Sequence, residues 1–279
     1  MTTLSLQQLT PSIGAEIIDV DLAGAVDDSS AIAAIAEAFT NHHVLVFRNQ
    51  TLTRDQHKAF GRRFGPLHVH PSQRATDYEG DREIFPVVAD ETTVLNNGGL
   101  WHSDVSCDEK PPLGSMLLLK EAPSIGGDTL FANMHLAYET LSSPIRAMID
   151  HLDAVHDRRQ DLLHYGYEAR LGVDYPVHSH PLVVAHPDTG RKLLFANPAF
   201  TTRIEGLSAG ESTAILAMLY EHVATQPAIQ CRVRWEPGTL VFWDNRCVQH
   251  YAVWDYRPQR RVGERVTIAS SDRPARASR

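Results

Sequence analysis

His102 and Asp104 stand two residues apart in LWHSDVS, just after the pair Gly98-Gly99. In a strand, residues i and i+2 face the same way, so this spacing would aim an imidazole nitrogen and a carboxylate oxygen at one point. One more histidine would complete a set of two histidines and one carboxylate. That set suits non-haem Fe(II), because it leaves positions open on one side of the ion for oxygen and a co-substrate. Spacing alone carries little weight. With 15 His and 20 Asp among 279 residues, about one His-x-Asp is expected by chance, and the chain has three. His151/Asp153 falls in a helical pattern, where i and i+2 diverge around the axis. His186/Asp188 spans Pro187 and runs into an Asp-Thr-Gly turn. Only His102/Asp104 lies where a strand can follow a glycine loop.

The rest of such a site is available near the C-terminus. DNRCVQHYAVWDYRPQRRVGERVTI holds His250, just after the apolar run GTLVFWDN, and Arg261 eleven residues beyond it. Arginine grips a carboxylate through two parallel hydrogen bonds, which is what a dicarboxylate co-substrate beside iron would need. Each residue also has a plainer reading. His250 could be a histidine packed under a loop, and Arg260, Arg261 and Arg265 a solvated basic hairpin. The same three ligands could hold zinc and a bound water for hydrolysis, or the chain could be a β-sandwich binding module with no activity. His68 and His70 share one face of an expected strand, His178 and His180 mark a loop-to-strand junction, and Trp101 and Trp243 read as packing. No phosphate-cradling glycine loop and no G-x-S-x-G elbow is present.

These residues need a scaffold, and the composition supports a globular one: 43% hydrophobic, 22% charged, net charge -8. The acidic balance argues against nucleic acid and anionic membranes as partners. Three cysteines in no paired spacing argue against a disulfide framework. No signal-like N-terminus and no run of 18 apolar residues is seen, so the cytoplasm is expected. Helical spacing covers residues 29–42, 53–65, a pair within 135–155 that includes Pro144, and 210–226 with Ser208 as cap. Short apolar runs at 44–48, 114–120, 128–133, 180–187, 192–197, 231–235, 238–245 and 265–270 read as strands. The sum is a mainly β fold with added helices, an antiparallel sandwich or jelly roll. No linker or repeat divides residues 1–279, so one domain is expected, with a frayed basic tail after about 272.

WHSDV, Pro111-Pro112, GGDTLF (126 to 131) and WDNRCVQHYAVWDY followed by PQRRVGER resemble, in order and spacing, the taurine dioxygenase family of Fe(II)/2-oxoglutarate-dependent oxygenases. IGAEIIDVDL, FRNQ, FGPLHVHP and NPAFTTRIEGL resemble further family segments, so the similarity runs from about residue 10 to 270. The second half also resembles the aryloxyalkanoate-cleaving members. The resemblance implies a double-stranded β-helix, the jelly roll, with a helical insert around 135–170. It implies that His102, Asp104 and His250 hold Fe(II) at the catalytic centre and that Thr129 and Arg261 bind the distal carboxylate of 2-oxoglutarate. His70, Gln73, the backbone of Val105 and Arg265 match substrate-binding positions. The implied reaction uses O2 to hydroxylate a small anionic substrate, taurine or another alkylsulfonate, with C–S cleavage and release of succinate and CO2. The alternative is the same chemistry on an aryloxyalkanoate, a sulfate ester or another carboxylate. Relatives commonly form dimers or tetramers, so a homo-oligomer is expected. Three pocket positions depart from the taurine pattern: Gln73 replaces a tyrosine, Gly98 an asparagine (Asn96 and Asn97 are close by), and Arg158 an aromatic. These leave the iron chemistry intact and set taurine itself apart as a separate question.

Overall fold

The computed structural model describes residues 4–73, 79–95, 98–169 and 173–277. Asn96 and Asn97 lie outside them. The N-terminal part runs β1 (Ser5–Gln8), β2 (Ala15–Ile18), α1 (Leu22–Ala25), α2 (Ser29–His42), β3 (Val44–Phe47), α3 (Arg54–Arg62) and β4 (Phe85–Ala89). Next come β5 (Gly114–Glu121), β6 (Thr129–Asn133), α4 (Met134–Glu139), α5 (Ser143–Ile149), β7 (Asp153–Asp157), α6 (Arg158–His164), β8 (Val177–Pro181), β9 (Val183–Ala185), β10 (Lys192–Leu194) and β11 (Thr201–Ile204). The chain ends with α7 (Ala209–Ala224), β12 (Gln230–Val233), β13 (Leu240–Asp244), β14 (Val248–Ala252) and β15 (Arg261–Ile268).

A seven-stranded sheet of order β1-β2-β3-β13-β5-β15-β4 forms one layer, and a three-stranded sheet of order β12-β6-β14 is the second that matters for the site. Why β5 and β13 read as unbroken apolar runs follows from what covers them. Met116, Leu118, Leu240 and Phe242 face α2 and α3, where they pack with Ile35, Phe39 and Phe60. Their alternate neighbours Leu117, Leu119, Val241 and Trp243 face the other way, into a core shared with Phe131 and Val248 of the small sheet. Both faces are buried, so period-two alternation of polarity disappears.

The helices are closed by local chemistry. Asp28 caps α2 by accepting from Ser30 and Ala31 N–H. Thr53 with Gln56 and Ser208 with Glu211 form capping boxes at α3 and α7. Pro144 sits in the first turn of α5.

Several expectations are corrected. Residues 98–110 do not form a strand: His102 makes one isolated bridge to His250, and a turn follows. His68 and His70 are likewise not in a strand; Leu67 alone bridges Ile268 there. His151/Asp153 is not helical, since β7 begins at Asp153 and pairs with β8 and β11 inside the expected helical insert. The basic tail is tied down to residue 277. Ala275 bridges Ala185, and Arg276 donates to Asp150 O at 2.7 Å and to Asp153 Oδ2 at 2.6 Å. Arginine chemistry anchors what composition alone marks as loose. No helix among the described residues is long and apolar enough to cross a membrane.

Candidate active site

The bridge between His102 and His250 is the first positioning element. His102 N–H donates to His250 O at 3.0 Å, and His250 N–H returns the bond to His102 O at 2.8 Å. The two imidazoles meet with centroids 4.0 Å apart. His102 Nδ1 lies 2.7 Å from Leu100 O. A carbonyl only accepts, so Nδ1 carries the proton and Nε2 keeps the lone pair. His250 comes from the centre of β14, opposite Phe131 of β6, with Trp243 packed 4.9 Å away.

Asp104 reaches the same point from a turn. Its N–H donates to Asn245 Oδ1 at 2.6 Å, and Asn245 Nδ2 donates to Asp104 O at 2.9 Å. Ser115 Oγ donates to Oδ2 at 2.8 Å. That leaves Oδ1 facing the histidines, 3.9 Å from His102 Nε2 and 4.0 Å from His250 Nε2. Next in the chain, Val105 has φ 48°, a conformation a β-branched residue adopts only under constraint. Two lone-pair nitrogens and one carboxylate oxygen converging in a buried corner are a donor set that fits a divalent cation such as iron.

Arg265 NH1 also donates to Asp104 Oδ1, at 2.6 Å. Burial would raise the Asp104 carboxyl, but Arg265, with His250 and His102, holds it well below the usual carboxylate range. Arg261, Gly263 and Arg265 share one face of β15, so both guanidinium groups enter the same cavity of about 660 Å³ as the two histidines. Arg261 is only 5% exposed. It is in no ion pair among the described residues, and its Nε has no hydrogen-bond partner there. Its guanidinium lies 5.3 Å from the Trp235 ring, and Trp235 Nε1 donates to Thr129 Oγ1 at 2.9 Å. Thr129 lines the cavity with it. The solvated-hairpin reading holds only for Arg260, which is exposed and pairs with Glu121 at 3.2 Å.

His70 lines the cavity on a side shared with Phe85, their rings 4.5 Å apart. Its Nδ1 accepts from Ser72 N–H at 3.2 Å, which leaves Nε2–H as the donor of the neutral ring. Burial, followed by the nearby charges of Arg265 and Arg158, pushes its pKa well below the usual histidine value. Arg158 also lines the cavity, paired with Asp161 at 2.7 Å. Gly98 lines it too, its N–H donating to Tyr165 Oη at 2.6 Å. Gln73 does not: it is 3% exposed, and its amide donates to Ile84 O at 2.7 Å, so a backbone carbonyl takes the group that the alignment of motifs assigns to substrate. His178 and His180 bond to the carbonyls of Cys107 and Asp108, which accounts for them structurally.

Ser115, Asn245, Trp235 and Tyr165 escaped the sequence reading. Asn245 stands inside WDN, beside a recognised motif, and could have been found. Ser115 and Tyr165 carry no local signal.

A profile described as the taurine catabolism dioxygenase TauD, TfdA family matches residues 5–267. An alpha-ketoglutarate-dependent sulfonate dioxygenase from Saccharomyces cerevisiae is 35% identical over 288 residues, covering 97% of this chain and 68% of that protein. An alpha-ketoglutarate-dependent sulfate ester dioxygenase from Pseudomonas putida is 35% identical over 277 residues, covering 95% of this chain and 89% of its own. A crystal structure of a taurine dioxygenase from Burkholderia xenovorans superposes with a TM-score of 0.81 at 34% identity, covering 97% of this chain and 92% of that one.

Proposed function

The chain belongs to the taurine catabolism dioxygenase TauD, TfdA family and is an Fe(II)- and 2-oxoglutarate-dependent dioxygenase, and from that premise we propose that it hydroxylates a small anionic alkylsulfonate, taurine or a relative of it. In this reading His102, Asp104 and His250 hold the iron. Thr129 and Arg261 receive the distal carboxylate of 2-oxoglutarate, while Arg265, His70 and the backbone of Val105 face the organic substrate. Iron and 2-oxoglutarate bound there would supply, with O2, an oxidant able to take hydrogen from a substrate C–H; one oxygen atom would end in succinate, released with CO2, and the other in the substrate hydroxyl. A hydroxylated carbon that bears a sulfonate would collapse to a carbonyl, the hydroxyl losing its proton and the C–S bond electrons leaving with sulfite.

The observation that carries this reading is the unpaired guanidinium of Arg261. A buried cation without a carboxylate is costly, and a dicarboxylate co-substrate would satisfy it through charge-assisted hydrogen bonds. Zinc hydrolysis would give Arg261 no task. The remaining residues position and protect: Asn245 holds the Asp104 backbone, Ser115 orients its carboxylate, Leu100 fixes the His102 tautomer, and Phe131 and Trp243 exclude water behind His250. Two mainly antiparallel sheets, in which β2 and β3 pair in parallel, support the double-stranded β-helix, or jelly-roll, description. Three buried, unpaired cysteines support a reducing cytoplasm. A homodimer or homotetramer is carried over from the family resemblance.

A second substrate class has its own support. Leu162, Phe200 and Val87, beside the Arg158–Asp161 pair, make part of the cavity apolar, which favours a longer sulfate ester or an aryloxyalkanoate over a two-carbon amine. Anaerobic addition of Fe(II) and 2-oxoglutarate should produce a weak visible charge-transfer band. Admitting oxygen with a panel of sulfonates, sulfate esters and aryloxyacids should produce succinate that depends on one class. No band from folded, iron-loaded protein would sink the assignment of the three ligands and of Arg261.

A further inference from the structure

A second group of metal-capable side chains lies away from the cavity. His43 ends α2, His135 is the second residue of α4, and Cys247 sits in the turn between β13 and β14. One donor atom from each lies within 4.8 Å of the others. Their exposures are 7%, 1% and 0%. Cys247 Sγ is 3.5 Å from His43 Nδ1. Tetrahedral zinc, with bonds of about 2.3 Å to sulfur and about 2.0–2.1 Å to nitrogen, sets adjacent sulfur and nitrogen ligands roughly 3.5 Å apart.

The imidazole of His135 is oriented in the manner of a ligand. Its Nδ1 donates to Lys192 O at 2.9 Å, which makes Nε2 the lone-pair nitrogen. A further imidazole and carboxylate stand beside this group, hydrogen-bonded to each other. His186 and Asp244 form a second buried group with the same Cys247, 3.1 Å from each other, and the His135 and His186 rings are 5.7 Å apart. Asp244 is itself steadied by Arg246 through bonds of 2.8 and 2.7 Å.

We propose that His43, His135 and Cys247, completed from the His186–Asp244 pair, form a structural site for Zn(II) or a similar borderline divalent cation. Two nitrogens and a sulfur suit such an ion better than calcium or magnesium, which take oxygen. Binding converts the thiol to a metal-bound thiolate and releases its proton to solvent. The ion would pin the end of α2, the start of α4 and the turn that leads into β14, three residues before His250.

Cobalt(II) titration of metal-free, full-length protein tests the site. The set His102, Asp104 and His250 holds no sulfur, so near-ultraviolet sulfur-to-cobalt charge transfer reports a cysteine ligand outside it, and Cys247→Ala separates Cys247 from Cys107 and Cys231. The band should grow to one equivalent in the wild type and equally in Asp104→Ala, and vanish in Cys247→Ala. Zinc content by mass spectrometry should fall by one ion per chain in Cys247→Ala. His135→Gln serves as the second variant and should weaken cobalt binding at least tenfold. Folded wild-type protein without the band, or Cys247→Ala with undiminished zinc, would overturn the proposal.

Discussion

At Arg261 a full positive charge is almost removed from water, and burial pushes its pKa below the usual arginine value. Arg261→Ala removes charge-assisted bonds worth ~2 kcal/mol or more, so the KM for 2-oxoglutarate should rise by about 30-fold or more. Arg265→Ala should instead raise the KM for the organic substrate and leave that for 2-oxoglutarate nearly unchanged. Measuring both constants for both variants separates the two arginines; a swapped pattern would exchange their roles. His102, Asp104 and His250 were legible through the order of several motifs taken together, since the spacing of any one carries little weight. Their supports were not. Ser115 meets Asp104 through a fold contact, and Asn245 does so across 141 positions of chain. Gln73 shows the opposite failure: its position was matched, but its amide is used to satisfy a buried carbonyl.

β15 is the element that makes two arginines into one surface. Gly263 lies between them, at a register shift in the pairing of β15 with β5. A Cβ there would approach Leu118 O to 2.9 Å, and that oxygen belongs to backbone that cannot rotate away. Gly263→Ala should therefore part the strands, cost about 1–3 kcal/mol, and raise the KM for both 2-oxoglutarate and substrate. Calorimetry with the two constants checks this; a lower Tm with unchanged constants would mean that the arginines do not depend on the close strand contact. Most strands found from sequence were continuous apolar runs; β12 alternates instead, with exposed Arg232 between buried Cys231 and Val233. DAVHD, VHSHP and VQHYA, which form β7, β8 and β14, mix histidine with other polar and apolar residues and give no clear period. Their histidines are buried by tertiary packing that no local window contains.

On the scale of the whole molecule, buried histidine couples stability to acidity. Burial, then the charge of His180, pushes His156 down to about 3, and burial pushes His180 down to about 4. Both titrate near 6.5 when unfolded, so below that pH the unfolded chain binds more protons. Stability should fall as pH falls from about 6.5 to about 4, by up to roughly 3 kcal/mol for each group. The loss in Tm from pH 7 to pH 5 should be smaller in His180→Gln; an equal loss would assign the acid sensitivity to carboxylates. The order of the large sheet was not legible, because β13 inserts between β3 and β5 only after most of the chain has been laid down. The three cysteines give that assembly a clock. Cys107 packs beside Phe200, Cys231 lies in β12 and Cys247 in the turn before β14, all buried with their thiol pKa raised by burial. A water-soluble thiol reagent can reach them only when the fold opens, so labelling rates resolved by peptide mapping should report three separate opening reactions. Simultaneous labelling at one rate would mean that the sheets part as a single cooperative unit.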